Sequence, residues 1–380
     1  VIHNTPAPLF EWLNESVEPA VRRAIDRVRC ADDVQHVAVM PDIHLAADIC
    51  VGMALGTSRL LYPGAVGGDI GCGMLAIAFD TEADAIGHGS VAGKVLAELY
   101  RTIPGHRRHR RSALPMPKDL GALQLSDPSL DAIAREEGAL QLGTLGGGNH
   151  FVELQSDESN QLWLMIHSGS RAMGQAIRQH HVARAQQTSV PGLLALHAAS
   201  TQGEAYMHDV EWARAYAAAN RAAMGECVAH VLRSVVGASP VESMTVACDH
   251  NHVQREEHGG RLIYVHRKGA MPAAVGTPGV LPGSMGTLSY HVEGRGCENA
   301  LNSSAHGAGR RFSRAAARET FSASDLKHQM RNVWFDPRKV HALREEAPNA
   351  YKDVRAVLRA QSELVRVTRT LRPLLAYKSA

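Results

Sequence analysis

The stretch Asp69-Ile70-Gly71-Cys72-Gly73-Met74 sets a hard carboxylate and a soft thiol close together, between glycines that let the backbone turn sharply. It runs directly into Leu75-Ala76-Ile77-Ala78-Phe79, an apolar run of strand character. A carboxylate and thiol so placed hold two neighbouring metal ions only if imidazoles arrive from elsewhere, and the chain has 21 histidines. Three stand in distinctive settings: Gly146-Gly147-Gly148-Asn149-His150, Met165-Ile166-His167-Ser168-Gly169-Ser170-Arg171 and Asp249-His250-Asn251-His252. A fourth, His306, lies between Ser303-Ser304 and Gly307-Ala308-Gly309-Arg310. Together these residues imply a metal-dependent phosphoryl-transfer site.

Around the motifs the chain mixes short strands with helices. Ala38-Val39-Met40 reads as a strand stopped by Pro41, with Asp42 and His44 in the following loop. Leu162 to Ile166 is a strand that delivers His167 at its end, and Arg261 to Val265 is one that runs into His266-Arg267-Lys268-Gly269. Strand ends beside small residues are where a rigid sheet presents loop-borne chemistry. Pro19 to Arg29 has helical spacing of apolar residues, and Asp127 caps a helix that begins at Pro128 and runs towards Leu140. Asp209 to Val236 is a long alanine-rich helix, and Tyr351 to Leu371 predicts an amphipathic C-terminal helix ended by Pro373. With no internal repeat and no linker, residues 1–380 are expected to form one large α+β domain, with 105–126 as a peripheral insertion.

Composition narrows the class. A chain of 380 residues at 45% hydrophobic content can bury a large core. No apolar run approaches the roughly 18 residues of a membrane span, and no charged segment leads into an apolar one as in a secretory signal. The six cysteines (30, 50, 72, 227, 248 and 297) show no Cys-x-x-Cys, which favours reduced thiols in a cytosolic compartment. A net charge of +2 leaves any nucleic-acid binding to local basic surfaces. Two are visible, His106-Arg107-Arg108-His109-Arg110-Arg111 and the group Arg310, Arg311 and Arg314 beside His306. An isolated charge run is usually a solvated loop; the second cluster carries more weight because it adjoins a candidate reactive histidine.

Any single histidine is more often structural than a ligand. Carboxylate, thiolate and imidazole on small-residue loops together change that balance. Cys72 could bridge two cations, because a thiolate has spare lone pairs, and two such ions can clamp a phosphoryl group. Softness alone would select zinc for Cys72 with His167 and His250. Gly143-Thr144-Leu145-Gly146-Gly147-Gly148 could cradle phosphate on bare amides, although no Gly-Lys-Ser/Thr follows as in a P-loop. A neutral imidazole at His306 is a competent nucleophile towards phosphorus. Trp12, Trp212, His180-His181 and His291 read as packing residues.

These motifs, nearly end to end, resemble the RtcB family of RNA ligases. The resemblance rests on Met40-Pro41-Asp42-Ile43-His44-Leu45, Gly67-Gly68-Asp69-Ile70-Gly71-Cys72-Gly73-Met74 and Leu142 to Gly146. It extends through Gly148-Asn149-His150-Phe151-Val152-Glu153, His167 to Arg171, His250-Asn251, Arg267 to Ala270 and Pro282-Gly283-Ser284-Met285-Gly286. His306 to Arg310, Ala350-Tyr351-Lys352-Asp353 and Thr370-Leu371-Arg372 to Lys378 complete it.

The resemblance implies a single mixed-sheet domain with the active site in a central cleft. It also implies a GTP- and Mn2+-dependent enzyme that joins RNA 3′-phosphate or 2′,3′-cyclic phosphate ends to 5′-hydroxyl ends. Cys72 would bridge two manganese ions, one completed by His167 and His250 and the other by Asp69 and His150. His306 would attack the α-phosphate of GTP to give a histidine–GMP intermediate. The guanylate pocket would comprise Asn149, His150, Phe151, Val152, Glu153, His250, Asn251, Pro282, Gly283, Ser284, Met285, Ser289, Gly307, Ala308, Gly309 and Lys378. An archease-like activator would be a partner. Where the family usually has Gly-Lys-Gly after His-Leu, this chain has Ala46-Ala47-Asp48, and Asp249 stands where His is frequent. Those departures point to a repair-oriented branch acting on broken tRNA or ribosomal RNA. Two competing classes are a metal-dependent phosphodiesterase or phosphatase that opens cyclic ends without sealing, and a non-catalytic RNA-binding factor.

Overall fold

Two sheets carry the molecule, and one chain segment crosses between them at His250. The computed structural model describes residues 5–379. The larger sheet has seven strands in the order Pro240–Asp249, Gly73–Glu82, Gln161–Ser168, Phe151–Ser156, Val365–Tyr377, Ser289–Gly294, Pro278–Leu281. The smaller has five, in the order Leu9–Glu11, Val34–His44, Val51–Thr57, Arg261–Lys268, Asn251–His258. Asp249 pairs with Gly73 in the first sheet and Asn251 with Lys268 in the second, so His250 stands at their junction. Helices and sheets are interleaved along the chain, and the α+β class is what the structure shows.

The helix Thr201–Val236 runs for 36 residues and braces the larger sheet. The Ser200 side chain accepts from Gly203 N at its start, and Gly237 closes it in the left-handed conformation. Its inner face buries Val210, Ala213, Ala217, Met224, Val228 and Leu232. Among them sit two buried polar residues. Arg221 donates to the carbonyls of Gly71 (2.8 Å) and Ser168 (2.9 Å), and Asn220 binds Thr144 and Gly169. Buried polar groups demand partners, so one turn of helix pins three separate loops.

The helices Pro19–Arg29 and Pro128–Ile133 begin where the sequence places them, the second continuing through a wider turn to Gln141. Two expectations need correction. The strand Val34–His44 does not stop at Pro41. Its pairing jumps from Val39↔Met53 to His44↔Val51, so Pro41 and Asp42 lie in a bulge where no ladder N–H is required. The C-terminal segment is also not a helix to Leu371. A short helix covers Val354–Ala360, and Val365–Tyr377 is a strand of 13 residues. Val365-Arg366-Val367-Thr368 alternates with a period of two, and Pro373 sits where the register against Phe151–Ser156 shifts.

Segment 105–126 is mostly exposed, yet Leu120 and Leu125 are buried in a cluster with Tyr206 and Trp212. Among the described residues, no helix is long and apolar enough to cross a membrane.

Candidate metal and nucleotide cleft

The turn after Gly68 is shaped by its neighbours. Gly71 has φ +71°, and a Cβ there would stand 2.8 Å from the Arg214 backbone of the long helix. Gly71 N donates to Asn251 O (2.8 Å), Asn251 Nδ2 to Asp69 O (3.1 Å), and His250 N to Cys72 O (2.9 Å). The Asp69–Cys72 turn and the sheet junction are thus one hydrogen-bonded unit.

Side chains from four places meet there. His150 precedes the strand Phe151–Ser156, and His167 lies in its neighbour Gln161–Ser168. Cys72 Sγ is 3.5 Å from His150 Nε2 and 3.3 Å from His167 Nε2, and ligand atoms of these residues lie within 4.8 Å of one another. Asp69 Oδ2 is 2.9 Å from His150 Nε2, and His250 Nε2 is 3.3 Å from His167 Nε2. His150 Nδ1 faces Leu145 O at 3.0 Å and His167 Nδ1 faces Asn149 O at 3.2 Å. A carbonyl only accepts, so each Nδ1 faces it with a proton; His167 Nε2 then turns its lone pair towards Cys72 and His250, while His150 Nε2 meets the Asp69 carboxylate.

Sulfur, imidazole nitrogen and carboxylate oxygen therefore converge in one buried cluster. Burial, then the neighbouring Asp69 carboxylate, pushes the Cys72 thiol far up. Burial holds His167 and His250 well down. Burial would also raise Asp69, but the His150 hydrogen bond and charge bring it to about 2. This donor set fits divalent cations of the zinc or manganese type.

His306 follows the strand Ser303–Ala305, and its ring centroid is 4.5 Å from that of His250. Its Nδ1 lies 2.7 Å from Asp42 Oδ2. The Asp42 bulge is held in turn by Lys352, whose Nζ donates to Pro41 O (3.0 Å) and Ile43 O (3.2 Å).

A cavity of about 1050 Å³ opens over these groups. Asp69, Cys72, His167, His250 and His306 line it, together with Asn149, Phe151, Glu153, Asn251, Pro282, Gly283, Ser284, Met285, Ser289, Gly307, Ala308, Gly309 and Lys378. His150 sits behind this wall, and the Val152 side chain belongs to the apolar core on the other face of its strand. In the same wall Lys378 Nζ is 2.9 Å from Glu346 Oε2, which also accepts from Tyr351 OH (2.6 Å), and Arg310 Nη1 binds Glu346 Oε1 at 2.9 Å. Burial pushes Glu153 up to about 8, against the opposing pull of Gln155 and Lys378.

Residue reading alone left Asp42 unassigned and passed over Lys352, Glu346, Asn220 and Arg221. The only sequence signal for Asp42 and Lys352 was their place inside the recognisable motifs. The two departures fall outside the metal cluster. Asp249 binds Arg214 Nε at 2.7 Å, and Asp48 pairs with Arg178. The remaining histidines set aside as structural are packed: His181 on Asp209 at 2.7 Å, and His291 edge-on to Trp163.

The fold and the site define a mixed-sheet protein whose thiol and imidazole cluster, able to hold a metal ion, lines a cavity of about 1050 Å³. The chain belongs to the RtcB family: the description tRNA-splicing ligase RtcB matches residues 25–120 and 109–379. It is 38% identical over 375 residues to the RNA-splicing ligase RtcB of Escherichia coli strain K12, with 90% of each chain covered. It is 28% identical over 430 residues to the tRNA-splicing ligase RtcB of Methanococcus maripaludis, covering 92% of this chain and 89% of that one. Membership of that family supports an RNA-ligase function.

Proposed function

We propose that this chain is a GTP- and Mn2+-dependent RNA ligase that joins 3′-phosphate or 2′,3′-cyclic phosphate ends to 5′-hydroxyl ends through a histidine–GMP intermediate on His306. The observation that carries this reading is the Asp42–His306–His250 succession. Asp42 accepts the Nδ1 proton of His306, which leaves the Nε2 lone pair for attack, and the His306 ring stands against a member of the cation pocket.

In the first step His306 Nε2 bonds to the α-phosphorus of GTP and the bond to pyrophosphate breaks. Water opens any 2′,3′-cyclic end to a 3′-phosphate, breaking the 2′ P–O bond, and a 3′-phosphate oxygen of the RNA then takes the guanylyl group, breaking the N–P bond. The 5′-hydroxyl finally attacks the activated 3′-phosphate and releases GMP. Asp69, Cys72, His150, His167 and His250 would hold the manganese ions. When bound, these ions neutralise charge on the transferring phosphate. Lys378, Glu153 and Phe151 would border the guanylate. Asp42 supports the imidazolium-like charge that develops on His306, and Lys352 keeps Asp42 in place.

The Ala46-Ala47-Asp48 replacement favours a repair substrate over split tRNA, and an archease-like activator and a cytoplasmic setting complete the reading. The test is an adduct trap: full-length protein with α-labelled GTP and Mn2+ should form an acid-labile protein–GMP bond, with ATP and with Zn2+ as contrasts. No adduct, with opening of cyclic ends retained, would replace this reading by the phosphodiesterase one.

A further inference from the structure

The cationic run His106 to Arg111 is not used by the cleft chemistry, yet its segment is bonded to the loop that leads into Asn149 of the cleft wall. Leu145 N donates to Pro104 O (3.0 Å), Gly146 N to Gly105 O (2.7 Å) and Arg108 N to Leu140 O (2.7 Å). The run is thus stitched to the loop whose end carries His150. Arg108 spends its guanidinium on tying that loop to the preceding helix, donating to Leu142 O (3.1 Å) and Gly143 O (2.9 Å) and to Thr102 O (3.2 Å) at the end of the helix Gly89–Thr102. The next residues close a turn in which His109 Nδ1 accepts from Arg111 N at 3.3 Å. This is a fixed ridge, not a loosely solvated charge run.

Its other arginines face outward. Arg107, Arg110 and Arg111 are exposed. Among the described residues Arg107 pairs only with the half-buried Glu137 carboxylate, at 3.5 Å. Arg110 and Arg111 have no ion-pair partner among the described residues, so their charge is unneutralised. At the opposite end of the same glycine loop, Arg314 packs over Gly148 while pairing with Glu345 (3.7 Å) and Glu346 (3.5 Å), and it lines the cavity with Arg311, which is exposed and has no ion-pair partner among the described residues. Loop 143–148 spans at most about 20 Å, the reach of a few nucleotides. Cations therefore flank the loop on both sides, in a chain whose net charge is only +2.

We propose that Arg110 and Arg111, with Arg107, form an outer track for the phosphodiester backbone of the RNA strand that enters the cleft across the Gly143–Gly148 loop. This inference rests on the ligase reading above and adds a subsite to it. Contacts of this kind position a strand without reading its bases. The track therefore acts on substrate length and salt dependence, and not on the chemistry at His306.

The test compares the full chain with its Arg110→Ala/Arg111→Ala variant in Mn2+, binding single-stranded RNA with a 3′-phosphate. Strands of about 4 and about 20 nucleotides are used, the longer exceeding the reach of the cleft. The variant should bind the long strand about five- to tenfold more weakly, and its log–log salt slope should fall by about 1.4, as for two lost single-strand contacts. Short-strand binding and GMP-adduct formation should be unchanged, and Arg110→Glu/Arg111→Glu should deepen the length-dependent loss. An unchanged salt slope, or equal losses on short and long strands, would overturn the proposal. So would capture of an acidic peptide with long-strand affinity intact, which would assign the ridge to a protein partner. Failure of adduct formation with the length effect preserved would sink the ligase reading and leave the track standing.

Discussion

Asp42 and His306, 264 positions apart, are joined by a 2.7 Å contact between Oδ2 and Nδ1, with the Asp42 side chain fully buried. The same oxygen lies 3.3 Å from the His306 backbone N–H. That contact sets the tautomer of the imidazole and so decides which nitrogen is free.

Asp42→Asn should keep the fold and lose the reaction. An amide turned to donate its N–H towards Nδ1 would drive the ring proton onto Nε2 and block the lone pair. Adduct formation from GTP should fall by about a hundredfold or more, while Mn2+ content stays near that of wild type. His306→Ala should give no adduct at all. Wild-type labelling rates in Asp42→Asn would show that the contact is structural only.

Metal removal should act on both stability and chemistry. The pocket gathers a thiol, three imidazoles and a carboxylate in mutual contact. Mn2+ at a hundredfold excess over its Kd should raise the unfolding free energy by about 2.7 kcal/mol, and Cys72→Ala should bind fewer ions with a smaller thermal shift. An unshifted melting transition on adding Mn2+ or Zn2+ would rule the pocket out as a cation site.

Glu346 should be costly to delete. It is buried and neutralises both Lys378 and Arg310. Glu346→Ala leaves Lys378 and Arg310 without this counter-charge in the cleft wall, a loss of about 3–5 kcal/mol, readable by urea unfolding. A loss below 1 kcal/mol would mean that water enters and solvates the pair.

Acid should destabilise the smaller sheet through His266. This residue is fully buried, accepts from Tyr62 N at 3.0 Å, and is held down at about 4 by burial. Above the ordinary imidazole value of about 6.5 neither state is protonated. Between the two values the unfolded chain takes up a proton that the folded one does not, so stability falls as pH falls, by on the order of 3 kcal/mol in total. His266→Gln, which keeps an acceptor, should flatten this part of the melting-temperature profile. Parallel profiles for the two proteins would assign the acid sensitivity elsewhere.

Much of this was legible from residue types. Pro19 and Asp127-Pro128 open helices because capping and proline geometry act within one turn. The apolar run after Cys72 forms a strand for an equally local reason. The C-terminal segment was misread because Tyr351 to Leu371 contains both a helical turn and a period-two run. Only pairing with Phe151–Ser156 and Ser289–Gly294 settles which pattern governs most of it. Pro41 misled for a related reason. A bulge is a property of two strands, and its presence is not written in either one.

By itself the sequence determined which donors are available and which turns carry them: an Asp–Cys turn among glycines, and histidines beside small residues. Those follow from side-chain chemistry and short-range backbone preference, which need no partner. The tertiary structure decided which of the 21 histidines converge. Cys72 meets His150 across 78 positions and Asp42 meets His306 across 264. Such meetings depend on strand register and on the crossing at His250 from one sheet to the other, and register is set only when both faces of the sheets find their packing.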